Sequence, residues 1–371
     1  MKCKSINKEN LKHNLKIIRS HLNNAETNLK TLKGQELALM FGKYPLICAV
    51  VKANAYGHGV VDVCPLIAKF IQYFAVANLK EAIEIILLKL KKPILIIGKI
   101  DDSEIEMAIK YKINISISDL NQLKLIEKIA SKLKIPAFIH IKINCGMNRL
   151  GVKLIEEYSQ MLIKCCSSNF IFLKGVYTHF SCSNFENIDI LNVQNEKFLK
   201  FVQLLQSTVI IHASNSMAFM TNPKLTYDMI RAGISIYGYA DNIQNLKPVM
   251  QVDAPIIFIQ NIKKGEYVGY GTSFKAKKSM QIAVLGLGYA DGINRKLSQN
   301  GYVVINGNKS NIIGNICMDM FMVDITDLNI KSNYATILGK NGNEVLTANE
   351  LAKLCDTIPY EILTNFNNCR K

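Results

Sequence analysis

A lysine stands at the end of an apolar, β-branched segment in AVVKANAYGHG, residues 49–59. If this segment is a strand, Lys52 lies at its carboxyl end, just before small residues and two glycines. Apolar surroundings disfavour the charged form of an amine, so its pKa falls and the amine becomes available for Schiff-base chemistry. A strand-end lysine that simply reaches solvent is the commoner outcome, and strand position alone does not exclude it.

Polar residues follow four later apolar segments in the same way. The motifs are NCGMNRLG (144–151), GVYTHFS (175–181), HASNS (212–216) and MIRAGISIYG (229–238). Small and hydroxyl-bearing residues beside free backbone amides suit a phosphate group. Each residue also has an ordinary explanation, because a histidine can be a satisfied core residue and a serine can cap a helix. Together the candidates are Arg149, His179, Asn215, Ser216, Arg231, Gly233 and Ile234.

Arginine is rare in this chain. Of 45 basic residues only five are arginine, so lysine is used wherever a plain positive charge suffices. An arginine inside a motif therefore indicates that the planar guanidinium is needed. Arg149 and Arg231 are the two that fall in the motifs above.

Eight short apolar runs alternate with helical patterns between about residues 44 and 240, at the spacing of βα units. The helical patterns include Leu79–Leu90 and Leu120–Leu133, the second with Asp119 as its N-cap. Eight strands favour a (β/α)8 barrel over a doubly wound sheet, and barrels carry their sites at the carboxyl ends of the strands. The predicted strands are 46–52, 73–78, 93–98, 113–118, 137–144, 173–180, 208–213 and 228–238.

The pattern changes after about residue 245 to closely spaced strands with little helix. Asn306-Gly307 and Asn341-Gly342 are typical of tight hairpins, and one late helix is predicted over Ala348–Cys355. We therefore expect a barrel domain over residues 8–245 and a mostly β domain over 246–371. Residues 1–7 could add a strand to either domain.

Composition excludes several classes of protein. No stretch approaches the roughly 18 apolar residues of a membrane span, and MKCKSINKEN has no apolar signal region after its lysines. We expect a cytoplasmic enzyme without a metal, with its ten scattered cysteines reduced. The net charge of +16 is spread over single lysines without a nucleic-acid-binding motif, so no nucleic-acid partner is expected.

These motifs together resemble the alanine racemase family, whose members combine a barrel with a β domain and use pyridoxal phosphate. AVVKANAYGHG is similar to the family's cofactor-lysine motif. GMNRLG, YTHF, SNS, RAGISIYG, VGYGTSF, GLGYADG, ICMD and PYE follow in the family's order. The resemblance spans nearly the whole chain.

The resemblance implies a role for each matching residue. Lys52 holds the cofactor covalently and is one acid/base, and Tyr270 from the partner subunit of a homodimer is the opposite one. Arg231 faces the pyridine nitrogen, with His179 beside it. Because arginine practically never gives up its proton, that nitrogen should stay unprotonated. Around the phosphate it places Tyr56, Asn215, Ser216, Gly233, Ile234 and Tyr360, and around the substrate Arg149, the backbone of Met318 and Tyr289.

The chain departs from the family in two places. Asn144 and Cys145 stand where the family usually has Asp and Thr, close to Lys142, which matches a lysine that carries a carbamate in some relatives. Near the end, Pro359 replaces a usual Asn, and TNFNNCRK lacks the Arg-Val-Pro ending. Tyr360 is retained.

Three alternatives remain at this stage. A racemase of serine or of several small amino acids would share every motif above. A decarboxylase of similar architecture is disfavoured, because such enzymes place an acidic residue where this chain has Arg231. A non-catalytic protein that binds pyridoxal phosphate on the barrel alone would not need Tyr270.

Overall fold

The computed structural model of the protein describes residues 3–24, 45–181, 187–206, 208–240 and 245–369. It contains two eight-stranded sheets and a two-stranded ribbon. One large sheet is parallel and the other antiparallel. The predicted division of the chain at residue 245 stays a prediction, and residues 241–244 lie outside the described part.

The parallel sheet is the predicted barrel. Its neighbours run in the order β8-β7-β6-β5-β4-β3-β2-β9, and a bridge between Asn215 and Arg231 joins the two ends. Strands β2 to β5 are buried along their whole length, as in a sheet covered on both faces. The strands are β2 Leu46–Val50, β3 Tyr73–Val76, β4 Ile94–Ile96, β5 Asn114–Ile117, β6 Ala137–Lys142, β7 Ile171–Tyr177, β8 Ile210–His212 and β9 Met229–Ala232.

Helices connect the barrel strands, and side-chain caps fix where several of them begin. Asp119 accepts a hydrogen bond from the backbone N–H of Gln122, 2.8 Å, which confirms the predicted N-cap. Asn78 caps the helix Leu79–Leu87 through the N–H of Glu81. The helices are α1 Lys8–Asn24, α2 Val60–Ile67, α3 Leu79–Leu87, α4 Ile105–Lys110, α5 Leu120–Leu133, α6 Ile155–Ser167, α7 Ile188–Val202 and α8 Ser216–Thr221.

Each predicted barrel strand ends one to six residues earlier than expected, the eighth by the most, and helix α3 is also shorter than predicted. Helix α3 stops at Leu87 because Lys89 adopts a left-handed backbone, φ +55°. The predicted strand 228–238 ends at Ala232, and a 3₁₀ helix over Ile234–Tyr237 follows Gly233. A Cβ at residue 233 would lie 2.6 Å from the Tyr56 hydroxyl, so glycine allows this close approach.

The antiparallel sheet has the order β1-β10-β13-β16-β15-β14-β17-β18, with β10 also paired to β17. The amino-terminal strand joins this sheet, since Lys4 pairs with Val252. Helices α9 Ala348–Leu354 and α10 Pro359–Asn365 follow. The strands are β1 Lys4–Ile6, β10 Met250–Ile262, β13 Met280–Leu285, β14 Tyr302–Ile305, β15 Asn308–Ile313, β16 Phe321–Asp324, β17 Tyr334–Asn341 and β18 Glu344–Leu346, with the ribbon β11 Tyr267–Val268 and β12 Phe274–Lys275.

Both predicted hairpins are present, with one difference in register. Asn306 and Gly307 form the two-residue turn between β14 and β15, and both have positive φ, as a type I′ turn requires. In the second hairpin Asn341 still pairs with Glu344, so the turn begins at Gly342.

The prediction that every cysteine is reduced is wrong for one pair. Cys3 and Cys369 form a disulfide, with Cα atoms 6.7 Å apart. Their separation of 366 residues hides the pair from any spacing rule. Seven other described cysteines are free, and Cys182 lies outside the described residues.

Within the described ranges, the helices include none with the length and apolar character needed to cross a bilayer.

Candidate active site

A cavity of about 360 Å³ opens at the carboxyl ends of the barrel strands. This is the end at which barrel enzymes carry their sites. Of the thirteen residues that the sequence analysis singles out, ten line it, namely Lys52, Tyr56, Arg149, His179, Asn215, Ser216, Arg231, Gly233, Ile234 and Tyr360.

Lys52 follows β2 and begins an unusual turn. The next four residues, Ala53 to Tyr56, all have φ between +51° and +56°. For residues with a Cβ, the left-handed conformation costs about 1–2 kcal/mol each. Burial lowers the pKa of Lys52, and the charge of Arg149 lowers it further, while Glu81 opposes the shift. A larger fraction of the Lys52 amine is therefore neutral than for a lysine in water.

Buried contacts hold the end of this turn. Both hydrogen-bond partners of His58 Nδ1 are carbonyl oxygens, of Ala55 at 3.1 Å and Tyr56 at 3.0 Å, so Nδ1 carries the proton and donates. The imidazole stacks on Tyr237 with ring centroids 4.3 Å apart. Asn54 Oδ1 accepts from the N–H of Val60, 2.7 Å. The turn is thus fixed by side chains on both sides of Tyr56.

Arg231 on β9 is buried and donates to several protein acceptors. NH2 donates to the carbonyls of Thr178 and Ala213, each at 2.7 Å, and to His179 Nδ1 at 3.2 Å. NH1 donates to His212 Nδ1 at 2.8 Å. Burial lowers the pKa of Arg231 to about 10, so the side chain is cationic at neutral pH. Among the described residues no group accepts from Nε, which is left for a ligand.

The protonation of the histidines around Arg231 follows from the hydrogen bonds. Arginine can only donate, so His212 accepts at Nδ1 and carries its proton on Nε2. That Nε2 lies 2.9 Å from His140 Nδ1, which must then accept. Burial lowers the pKa of His140 to about 3 and that of His212 well below its usual value, and Arg231 adds to both shifts. Both rings are therefore neutral.

The sequence analysis did not single out His140 and His212. Each is a lone histidine within an apolar strand, in AFIHIK and IIHAS. A buried imidazole needs a hydrogen-bond partner. A lone histidine in each of two apolar strands of one barrel was therefore the sequence signal that the two rings could bind each other. A Cβ at residue 175 would lie 2.4 Å from His140 Nδ1, so Gly175 makes room for this ring.

A small polar pocket occupies the β8–β9 side of the cavity. Ser216 Oγ accepts from the N–H of Gly233 at 2.9 Å and lies 2.9 Å from Ser235 Oγ. Asn215 caps α8 by accepting from the N–H groups of Met217 and Ala218. The ring of Tyr360 from α10 lies 5.9 Å from that of Tyr56 and closes this side.

Lys142 and Arg149 complete the charged lining. Lys142 is buried, with Nζ 5.5 Å from the ring centre of Tyr177. Burial lowers the pKa of Lys142 to about 8, and Arg231, Arg149 and Lys52 add to the shift. The lining residues that the structure describes include four cationic side chains and no carboxylate. The cavity is therefore suited to an anion.

Three predicted residues do not line this cavity: Tyr270, Tyr289 and Met318. Their exposed fractions are 77%, 42% and 58%, respectively. They lie together, because the Tyr289 N–H donates to Cys317 and Asn315 Nδ2 donates to the carbonyl of Tyr270. The antiparallel domain thus presents an exposed polar and aromatic patch.

A parallel barrel with a lysine and an arginine in one cavity, followed by an antiparallel domain, defines a class of barrel enzymes with a second β domain. The family model for the alanine racemase N-terminal domain matches residues 35–241, and that for the C-terminal domain matches residues 249–370. The chain belongs to the alanine racemase family, and the predicted family and fold class are confirmed.

Individual relatives agree with this assignment. Alanine racemase 1 of Clostridium acetobutylicum is 36% identical over 330 residues, which is 85% of this chain and 86% of the relative. The structure of an alanine racemase from Clostridium difficile 630 superposes with a TM-score of 0.87 at 32% identity, covering 98% of this chain and 92% of the other. A histidine racemase from Leuconostoc mesenteroides, 21% identical over 98% of this chain and 95% of the other with a TM-score of 0.86, shares the fold.

Proposed function

We propose that the protein is an alanine racemase that interconverts L- and D-alanine with pyridoxal phosphate as its cofactor. The observation that carries the proposal is that Lys52 and Arg231 line one cavity at the barrel mouth. Membership of the family supports alanine as the substrate. The family resemblance adds that the D-alanine serves peptidoglycan synthesis. The cytoplasmic location stays the prediction made from composition.

The cavity fits an anionic aromatic cofactor. Nε of Arg231 has no acceptor among the described residues, so it would face the ring nitrogen of the cofactor. When bound, pyridoxal phosphate supplies the electron sink that acidifies the Cα–H of an amino acid. Lys52 would hold its aldehyde carbon. The phosphate would be held by Tyr56, Asn215, Ser216, Gly233, Ile234 and Tyr360, with His179 beside Arg231.

Lys52 is suited to move a proton at its Nζ. Its lowered pKa raises the fraction of neutral amine, which can accept the proton from one face of the substrate Cα. Arg149 and the backbone of Met318 would bind the substrate carboxylate, and Tyr289 would lie near the entrance. A guanidinium is suited to a carboxylate because its N–H groups match the two oxygens.

Inversion requires a second acid/base on the opposite face of the Cα. We assign this role to Tyr270, supplied by the partner subunit of a homodimer. The hydroxyl does not line the cavity of its own chain, and the ring is largely exposed. A head-to-tail pairing of barrel and β domain would bring the Tyr270 of one chain to the Lys52 of the other.

Racemisation of L- and D-alanine by the purified protein with pyridoxal phosphate tests the proposal, followed by optical rotation and by deuterium uptake at Cα. We expect Lys52→Ala to abolish both signals and the cofactor absorbance of the lysine linkage. Tyr270→Phe should lower racemisation by at least about 100-fold while the cofactor stays bound. Lys80→Ala and Tyr267→Phe, at exposed sites, are the matched controls.

The outcomes separate the alternatives. A wild-type protein that binds no cofactor would overturn the whole proposal. Cofactor binding without turnover of any amino acid would indicate the non-catalytic alternative. Faster racemisation of serine than of alanine would reassign the substrate and leave the site intact. If Tyr270→Phe matched wild type in both directions, the second acid/base would be another group.

A further inference from the structure

The left-handed turn after Lys52 needs partners for its backbone groups. Four consecutive non-glycine residues adopt positive φ there, a conformation that side-chain-bearing residues normally visit singly. Such a segment persists only where its surroundings determine it. His58 and Asn54 bind groups near its end. The beginning of the turn, next to Lys52, is held by a residue outside the sequence motifs.

That residue is Glu81 on helix α3. Its Oε1 accepts from the N–H of Ala53 at 2.8 Å, and its Oε2 accepts from the N–H of Ala77 at 2.7 Å. Ala53 is the first left-handed residue and directly follows Lys52, whereas Ala77 directly follows strand β3. One carboxylate therefore joins the carboxyl ends of β2 and β3.

An ordinary helix cap does not explain both hydrogen bonds. Asn78 is the N-cap of α3 and accepts from the N–H of Glu81, which stands three residues later. In a capping box the acidic residue returns one hydrogen bond to the start of its own helix. The bond to Ala77 resembles it but reaches the N–H one residue before the N-cap. The bond to Ala53 is additional, because it reaches the segment that carries Lys52.

Glu81 also acts on Lys52 through its charge. Arg149 lowers the pKa of Lys52 and Glu81 raises it. Lys142 and His179 face the same amine, since the charge of Lys52 lowers the pKa of both. The described lining of the cavity holds no carboxylate. Among the described residues, Glu81 is therefore the carboxylate that opposes the charge of Arg149 at the Lys52 amine.

We propose that Glu81 is a positioning residue that fixes Lys52 for the cofactor by binding the N–H groups of Ala53 and Ala77 with one carboxylate. The expected effect on cofactor binding rests on the proposed function, since Lys52 is positioned for the proposed cofactor. The two hydrogen bonds of Glu81 belong to the chain itself. A change at Glu81 should therefore alter the turn and the Lys52 amine in the full-length chain, with or without pyridoxal phosphate.

The test compares Glu81→Gln with Glu84→Gln, which lies one turn along the same helix. Glutamine keeps the shape and one acceptor oxygen but loses the charge and one acceptor. Three quantities are measured on the full-length chain: hydrogen exchange at the Ala53 amide, the pH dependence of Lys52 acetylation by acetic anhydride, and the dissociation constant of pyridoxal phosphate. Exchange at the β6 amides reports global stability.

For Glu81→Gln we expect exchange at Ala53 to rise about ten-fold or more, because a charge-assisted hydrogen bond is lost. The midpoint of Lys52 acetylation should move to lower pH, and the dissociation constant should rise about ten-fold. Glu84→Gln and the β6 amides should match wild type. If Glu81→Gln lowers only the melting temperature and leaves the acetylation midpoint and cofactor affinity unchanged, Glu81 is merely a helix cap and the proposal is wrong. Failure of the wild type to bind cofactor would instead overturn the proposed function, since exchange and acetylation need none.

Discussion

His212 is the side-chain acceptor that binds NH1 of Arg231. It also stacks on Tyr177, with ring centroids 4.6 Å apart. Phenylalanine would keep the stacked ring but remove the acceptor. We therefore expect His212→Phe to leave a buried guanidinium donor unpaired and to lower the free energy of unfolding by about 1–3 kcal/mol or more.

Urea unfolding at pH 7 measures this effect. His21→Phe is the control, because His21 is exposed at the end of α1 and binds only a carbonyl of its own helix. The two variants should differ clearly in unfolding midpoint. Equal midpoints would mean that NH1 finds another acceptor and that the tautomers assigned to His212 and His140 do not matter for stability.

The buried histidines also predict how stability depends on pH. Burial lowers the pKa of His58 and of His140 to about 3, from 6.5 in the unfolded chain. Between these values the unfolded state binds a proton that the folded state does not, so acid favours unfolding. Each such histidine should remove up to about 1.4 kcal/mol of stability per pH unit as pH falls from 6.5 towards 3.

Denaturant unfolding between pH 7 and pH 4.5 measures this slope. His140→Leu should reduce the slope by about one proton. A slope unaltered by His140→Leu would show that His140 does not stay neutral in the folded protein.

At the scale of single residues, the sequence predicted which residues line the cavity better than it predicted the hydrogen-bond partners that hold them. Lys52 and Arg231 stand at strand ends in recognisable motifs, and the structure brings both to one cavity. The contact between His140 and His212 joins strands 72 residues apart. Glu81 resembles any acidic residue in the first turn of a helix. Such partnerships depend on tertiary contact, which spacing along the chain does not record.

Helix α5 offers a prediction at the scale of the element. Asp119 accepts from the Gln122 N–H, and its replacement removes a cap without touching the cavity. We expect Asp119→Ala to lower the free energy of unfolding by about 1 kcal/mol and to leave racemisation unchanged. The melting temperature and the initial rate are the measurements.

Asp101→Ala is the matched control for that change. Asp101 precedes a short 3₁₀ helix but makes no side-chain capping hydrogen bond. Its replacement should leave the melting temperature close to wild type. A loss of stability equal to that of Asp119→Ala would indicate that lost charge, rather than the capping bond, is responsible.

The elements themselves were largely predictable. Each of the eight barrel strands overlaps a predicted strand, and the clearest are β2 to β5, because strands buried on both faces carry continuous apolar sequence. The end of the eighth was predicted too late. ISIYG reads as strand by composition, but the backbone turns at Gly233 into a 3₁₀ helix that packs against Tyr56. This close approach is set by a segment nearly 180 residues earlier in the chain.

At the scale of the whole molecule, the two proposed acid/base groups lie on different parts of the chain. Lys52 lies in the barrel cavity, and Tyr270 lies on the exposed patch with Met318 and Tyr289. In a two-fold symmetric dimer each site would take Lys52 from one subunit and Tyr270 from the other. Each single variant should then be inactive for a different reason.

Complementation between two inactive variants tests this account most directly. Lys52→Ala and Tyr270→Phe chains carrying different tags are co-expressed, and the heterodimer is purified and assayed with L- and D-alanine. One site of each heterodimer combines an intact Lys52 with an intact Tyr270. The purified heterodimer should therefore recover about half of wild-type activity, because one of its two sites is intact.

Co-expression of two differently tagged Lys52→Ala chains is the control and should stay inactive. The account predicts that racemisation returns only in the Lys52→Ala and Tyr270→Phe heterodimer. A purified heterodimer that binds pyridoxal phosphate through its one remaining Lys52 yet racemises neither enantiomer would contradict the shared site.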